Sequence, residues 1–238
     1  RQDIYTFGQP NWHGAVAREH KAARDAAVLF DQTSFAKYIL TGPDAEQALQ
    51  WIAANRVDKP VGSIIYTQML NDNGGIECDL TCVRTKYNEY YITTGTGYAT
   101  HDFDWIGRNI PSDLNAQLVD VTSSNAVLSL FGPKARDILE IVTTADVSNT
   151  VHPFGFARQI GIAGCSVLAM RITYVGELGW ELHLPVENAQ TVYSALIEAG
   201  TPFGLRNAGY RAIETLRLEK GYRCLLYTSP SPRDLTAS

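Results

Sequence analysis

Long apolar runs are missing from this sequence of 238 residues. None approaches the ~20 residues that a membrane-crossing helix needs, so no such helix is expected. Cysteine is scarce, with Cys78, Cys82, Cys165 and Cys224 the whole complement. Cys78 and Cys82 have C-x3-C spacing but no second pair to complete a zinc set. On a strand they would lie ~13 Å apart, too far to bridge. Buried, reduced thiols in a reducing compartment are the expectation. The histidines at 13, 20, 101, 152 and 183 lack metal-ligand spacing, and no G-x-S-x-G elbow is present, so neither a metal site nor a Ser-His hydrolase is assigned. Basic stripes are absent too. The net charge is −5 with Lys and Arg dispersed, which argues against polyanion binding. The chain opens Arg1-Gln2-Asp3-Ile4, with neither Met nor a charged-then-apolar leader, and reads as an internal piece of a longer protein.

Apolar residues make up 45% of the chain and charged residues 19%, a globular composition that can bury a core as one large domain or two small ones. The organisation emerges from a repeat. Residues 39–52, ILTGPDAEQALQWI, align with residues 129–142, SLFGPKARDILEIV. Leu40, Gly42, Pro43, Ala45 and Leu49 recur as Leu130, Gly132, Pro133, Ala135 and Leu139. Each copy reads as a strand ending at Gly, Pro at the first helical position, then apolar residues at helical spacing.

The segments downstream of the two copies also correspond. After the first come Ser63–Leu70, the turn residues Asp72-Asn73-Gly74-Gly75, alternating Ile76–Arg84, and Tyr90–Thr94. After the second come Ala157–Ile162, a turn at Ala163-Gly164, Cys165–Tyr174, and Trp180–Leu184. Helices come next at Ala99–Arg108 and Ala189–Ala199, with further helices at Ala15–Ala27 and Tyr210–Lys220. The fold class is therefore α+β: two related units, each an antiparallel sheet with helices on one face. We assign residues 1–120 to the first unit and 121–223 to the second. Cys224–Ser238, CLLYTSPSPRDLTAS, has two Ser-Pro steps and no apolar period; it resembles a translated sequencing adaptor and reads as a non-native tail.

Three places could carry chemistry. Alternation puts Ile76, Cys78, Leu80 and Cys82 on one face of a strand and Glu77, Asp79, Thr81 and Val83 on the other. Asp is disfavoured in strands, so Asp79 is either a carboxylate on a wet sheet face or part of a polar site. A two-residue turn at Asp72-Asn73 would set Tyr66 opposite Asp79, with Thr81 beside it. Glu177 lies in Tyr174-Val175-Gly176-Glu177 at a glycine-flanked turn, either solvated or able to accept a paired hydrogen bond from an aminopyrimidine edge. Gly95-Thr96-Gly97 comes after a strand and precedes a helix. Thr100 occupies the third glycine of a dinucleotide fingerprint, so a tight turn approaching some ligand is the better reading.

Taken together, GGIECDL, YVGELGWEL and AGYRAIETLRLEKGYR resemble the folate-binding aminomethyltransferase family, which includes the T-protein of the glycine cleavage system. The opening YTFGQPNW and EHKAARDAAVLFDQTSFAKYILTGPDA are most similar to the folate-binding region of dimethylglycine and sarcosine dehydrogenase-type flavoproteins. The resemblance covers about residues 4–223. It implies tetrahydrofolate as cofactor, capture of a one-carbon unit from an oxidised N-methyl amine as 5,10-methylenetetrahydrofolate, an FAD domain ahead of this region and a β-barrel after it, both missing here. It also implies Asp79 as the catalytic carboxylate, and Tyr66, Thr81, Gly95, Tyr174 and Glu177 as folate contacts. The partners implied are folate and a small amine-derived donor, with neither nucleic acid nor membrane. The location would be the bacterial cytoplasm or, in a eukaryote, the mitochondrial matrix. T-proteins usually carry Asn where Gly95 stands and Arg where Ile213 stands. A free-standing aminomethyltransferase and a non-catalytic folate-binding protein are the alternatives. The latter's K-G-C-Y-x-G-Q-E motif is matched at Lys220-Gly221 but lacks its Cys at Tyr222.

Overall fold

A computed structural model describes residues 2–224. The expectation for the tail therefore lies, beyond half-buried Cys224, outside the described residues.

The repeat is built as a strand, a glycine corner and a short helix. Strand β2 (Ala36–Thr41) leads through Gly42 to helix α2 (Ala45–Ile52), and strand β7 (Asn125–Phe131) through Gly132 to helix α4 (Ala135–Val142). Pro43 and Pro133 do not open their helices, as the sequence suggested. Each lies in a turn ahead of the N-cap, Asp44 or Lys134, and the N–H after that N-cap reaches back to the glycine carbonyl. Both glycines need their freedom. Gly42 has φ 137° and Gly132 φ 135°, and a Cβ would lie 2.4 Å from Asn115 O in one and 2.5 Å from Ala26 O in the other.

From each corner the chain repeats its course. In the first unit, strands β3 (Ile64–Leu70), β4 (Ile76–Lys86) and β5 (Glu89–Thr94) precede helix α3 (Ala99–Asn109) and strand β6 (Gln117–Asp120). The sheet order is β3-β4-β5-β2-β6. In the second, β8 (Ala157–Ile162), β9 (Cys165–Met170) and β10 (Gly179–Pro185) precede helix α5 (Ala189–Gly200). Strand β1 (Val28–Asp31), although within the residues 1–120 assigned to the first unit, pairs in the second sheet, where it takes the place that β6 fills in the other, and β11 (Arg206–Ala208) adds to it in parallel, giving β11-β1-β7-β10-β9-β8. The other strand pairs are antiparallel. Strand β9 ends at Met170 rather than Tyr174, leaving residues 171–178 without strand pairing.

Each sheet buries one face under its own helices. Tyr38, Leu40, Cys78, Leu80, Cys82 and Ile92 pack under Leu49 of α2 and Ile106 of α3. Leu128, Leu130, Ile162, Trp180 and Leu182 pack likewise under α4 and α5. Helices α1 (His13–Asp25) and α6 (Tyr210–Glu219) cover Val28, Phe30 and Phe131 on the other face of the second sheet. The two sheets meet through Val83 and Tyr91 against Ala157 and Met170. Val83, placed by alternation on the wet face, is therefore 1% exposed. On that side of β4, Val83 is buried, whereas Asp79, Thr81 and Thr85 are half-buried.

Candidate active site

Strand β4 delivers Asp79 and Thr81, both half-buried, to the face away from α2 and α3, as alternation requires. The register differs from the two-residue-turn expectation. Gln68, not Tyr66, stands opposite Asp79, and Tyr66 pairs with Thr81. The cause is the hairpin loop. Asn71 N donates to Gly75 O, Gly74 N donates to Asn71 O, and Gly74 takes φ 78°, which makes a longer loop with glycine in the left-handed position. A further irregularity at Met69/Leu70 completes a slip of two residues, which preserves the face of every side chain. Tyr66 thus stays on the Asp79 face but moves diagonal to it.

Gln68 Nε2 donates to Asp79 Oδ1 at 3.0 Å. No sequence pattern marks Gln68 as a site residue, because its role exists only in the true register. Burial and, next, the nearby Asp79 carboxylate raise the Tyr66 phenol above its ordinary range. Tyr66 remains 56% exposed, so it offers an open aromatic surface beside the carboxylate.

The second sheet contributes the 171–178 loop. Val175 N and Gly176 N donate to Thr173 Oγ1 at 3.2 and 3.1 Å, folding the loop on itself. Gly176, at φ 76°, lies against the Lys220 side chain. Tyr174 stacks on Tyr222 with centroids 6.0 Å apart, and its hydroxyl donates to Arg223 O at 2.7 Å. Burial pushes the Tyr174 phenol up to about 12, and the charge of Asp79 adds to the rise. Tyr66 and Tyr174 also feel one another electrostatically. Asp79 and Tyr66 on the first sheet and Tyr174 in the loop after β9 thus lie within electrostatic reach of one another.

Glu177 is neither a solvated turn carboxylate nor unengaged. Its Oε1 accepts from Arg24 Nη1 at 2.8 Å, and its side chain is 23% exposed. Arg24, on α1, also donates to Val175 O at 2.6 Å and to Glu219 at 2.8 Å. This arginine joins α1, the loop and α6 and sets the direction of Glu177. It lies 153 residues away in sequence, with no local pattern to reveal it. Ile213 is buried with Ala22, Ala23, Phe131 and Val175, an apolar position under α1.

Gly95, the residue after β5, has φ −65° and ψ 143°, ordinary extended backbone that any residue can adopt. A Cβ there would touch only Tyr98, at 3.9 Å. The expected tight turn is present, with Tyr98 N donating to Gly95 O at 3.0 Å, but the Gly95 backbone does not itself require glycine. Thr96–Tyr98 form a short 3-10 turn that leads into α3. Two surface depressions lie away from these residues. One of about 780 Å³ is lined by Gln47, Trp51, Arg56 and Pro111, and one of about 320 Å³ by Asp31, Gln190, Tyr193 and Asn207.

Comparison with known proteins places this arrangement. The GCVT N-terminal domain model matches residues 2–227. The chain belongs to that family. It is 40% identical over 235 residues to mitochondrial sarcosine dehydrogenase of Homo sapiens, covering 93% of this chain and 26% of that protein. It is 35% identical to the aminomethyltransferase of Halothermothrix orenii, covering 94% of this chain and 61% of that one. The fold matches the crystal structure of glycine cleavage system aminomethyltransferase T from Bartonella henselae with TM-score 0.77 at 23% identity, over 94% of this chain and 60% of that one. The chain thus spans about a quarter of the dehydrogenase and under two thirds of the aminomethyltransferases. Among the described residues, no helix is long and apolar enough to cross a membrane.

Proposed function

We propose that this chain is the tetrahydrofolate-binding part of an N-methyl amine dehydrogenase, capturing the one-carbon unit of the oxidised amine as 5,10-methylenetetrahydrofolate. The observation that carries the reading is the Asp79 constellation: a half-buried carboxylate held by Gln68, beside an open tyrosine, with a charge that reaches Tyr174 in the loop after β9. A pterin fits these residues chemically. Its ring needs aromatic faces, which Tyr66 and Tyr174 offer, and its aminopyrimidine edge needs a fixed carboxylate acceptor, for which Glu177 is braced by Arg24. Thr81 and the backbone at Gly95 complete the contacts proposed.

Bound tetrahydrofolate would supply the nitrogen nucleophile. Asp79 would hold the proton that the nucleophile releases, or offset passing positive charge, and Gln68 would keep its Oδ1 in place. The similarity to sarcosine dehydrogenase supports an N-methyl amine as the source of the carbon and an FAD-bearing region elsewhere in the whole protein. Ile213 favours this branch over a free-standing aminomethyltransferase, because an arginine there would have to displace apolar packing under α1.

The test is Asp79→Asn in the whole flavoprotein with saturating folate, measuring both one-carbon products. Flavin reduction should stay near the parent rate, methylenetetrahydrofolate should fall about 10²–10⁴-fold, and formaldehyde should replace it. Methylenetetrahydrofolate formed at the parent rate would remove Asp79 from the chemistry.

A further inference from the structure

On the opposite face of β4 from Asp79, a second group of side chains converges. Asp102 is the one carboxylate buried among the described residues, 1% exposed. It sits in the first turn of α3, and its charged-group neighbour is His101 rather than a lysine or arginine. A buried carboxylate needs a compensating positive charge or a full set of donors. Here Thr94 Oγ1 donates to Oδ2 at 2.5 Å, His101 Nδ1 lies 2.9 Å from Oδ1, and the buried Cys78 sulfur lies within 4.8 Å of the carboxylate. One sulfur, one imidazole nitrogen and one carboxylate oxygen lie within 4.8 Å of one another.

We propose that Cys78, His101 and Asp102 form a binding site for a zinc-like divalent cation that pins α3 to β4. The donor set is one that ions of borderline softness prefer, and it comes from a strand and a helix rather than from loops. The surroundings point the same way. With Nδ1 on the metal, His101 would carry its proton on Nε2, where Oε2 of Glu77, which alternation put on the Asp79 face but which the Met69/Leu70 register shift leaves unpaired, stands 3.5 Å away. Glu77 is itself fixed by Asn71 Nδ2, which donates to Oε1 at 2.8 Å. A carboxylate behind the ligating imidazole is a recurrent arrangement at zinc sites, where it fixes the tautomer. The His101 side chain is 48% exposed, which gives an ion a way in from solvent, and water would fill the fourth position. On binding, the thiol loses its proton to solvent and the thiolate replaces it as donor to the metal; nothing is oxidised or reduced. Sequence spacing hides the site, since the cysteine and the histidine come together only through the β4–β5–α3 path. Cys78 and Asp79 leave the strand on opposite faces, so this inference stands apart from the folate reading.

The experiment is a Co²⁺ titration of the chelator-stripped chain, read by thiolate-to-metal charge-transfer absorption and by thermal melting. The expected result is saturation at one Co²⁺ per chain, displacement by Zn²⁺, and a raised Tm. The band should vanish in Cys78→Ser and persist in Cys165→Ser. Glu77→Gln should weaken affinity about 10–100-fold while keeping the band. His101 is half exposed, so His101→Ala should fold and lose affinity even if Cys78→Ser does not fold. The inference is overturned if the parent shows no charge-transfer band, if the band survives Cys78→Ser, or if His101→Ala binds Co²⁺ as the parent does.

Discussion

At the scale of single residues, the structure turns on who orients whom. Asp79 depends on Gln68, and Glu177 depends on Arg24. In the whole protein, Glu177→Gln should weaken folate binding by roughly 10- to 150-fold, the cost of losing a charge-assisted bond of ~1.5–3 kcal/mol. Arg24→Met should weaken it too, because the carboxylate survives but loses its brace. Calorimetry distinguishes the cases: unchanged affinity in Glu177→Gln would show that this carboxylate serves only the ion pair. If affinity is lost in Glu177→Gln but kept in Arg24→Met, the arginine is a structural tie and no more.

At the scale of elements, the glycine corners are the most exacting positions. Gly132→Ala puts a methyl 2.5 Å from Ala26 O at φ 135°, so both strain and overlap oppose it. A loss of about 2–4 kcal/mol in denaturant unfolding is expected. Gly95→Ala is the control. Its backbone is ordinary and its surroundings have room, so stability should stay within about 0.5 kcal/mol. If Gly95→Ala nonetheless weakens folate binding, the bare backbone there faces the ligand. A stable Gly132→Ala protein would contradict the close approach of β1 to the second corner.

At the scale of the molecule, the two sheets are joined by a backbone bridge between Ser63 and Phe156, a small apolar contact and a buried polar bond. Tyr91 hydroxyl meets His183 Nδ1 at 3.1 Å beside Val83, Ala157 and Met170. Tyr91→Phe leaves that nitrogen buried without its partner and should cost about 1–3 kcal/mol. At roughly 2–4 °C per kcal/mol for a chain of this size, differential scanning calorimetry resolves it. Stability should also depend on pH through His152, which is fully buried. Burial, with the nearby Arg158 and Arg171 charges, lowers its pKa below the ordinary 6.5. The unfolded chain then binds the proton more readily than the folded one. Stability from this group is present above pH ~6.5 and is lost as pH falls below it. His152→Gln should flatten that part of the melting-temperature profile, and an unchanged slope would assign it to other groups.

Much of this was determined by the sequence alone. The paired Gly-Pro copies specify two strand–corner–helix units because the glycine conformation and the apolar spacing are local properties. The alternation in Ile76–Cys82 places Asp79 away from the core because side-chain direction in a strand needs only the backbone. Local patterns do not reach further. The residue opposite Asp79 depended on a left-handed glycine and an irregular pair in the hairpin, which moved Gln68 into contact and Tyr66 to the diagonal. The strands β1, β6 and β11 are too short to show a period, and β1 joins a sheet whose other strands lie far along the chain. Val83 is dry because a second sheet covers it, Glu177 is braced by a helix from the other end of the sequence, and Cys78 meets His101 only across a strand and a turn. Each of these is a contact between segments distant in sequence, so the physics that fixes it is packing, which exists only once the chain has folded.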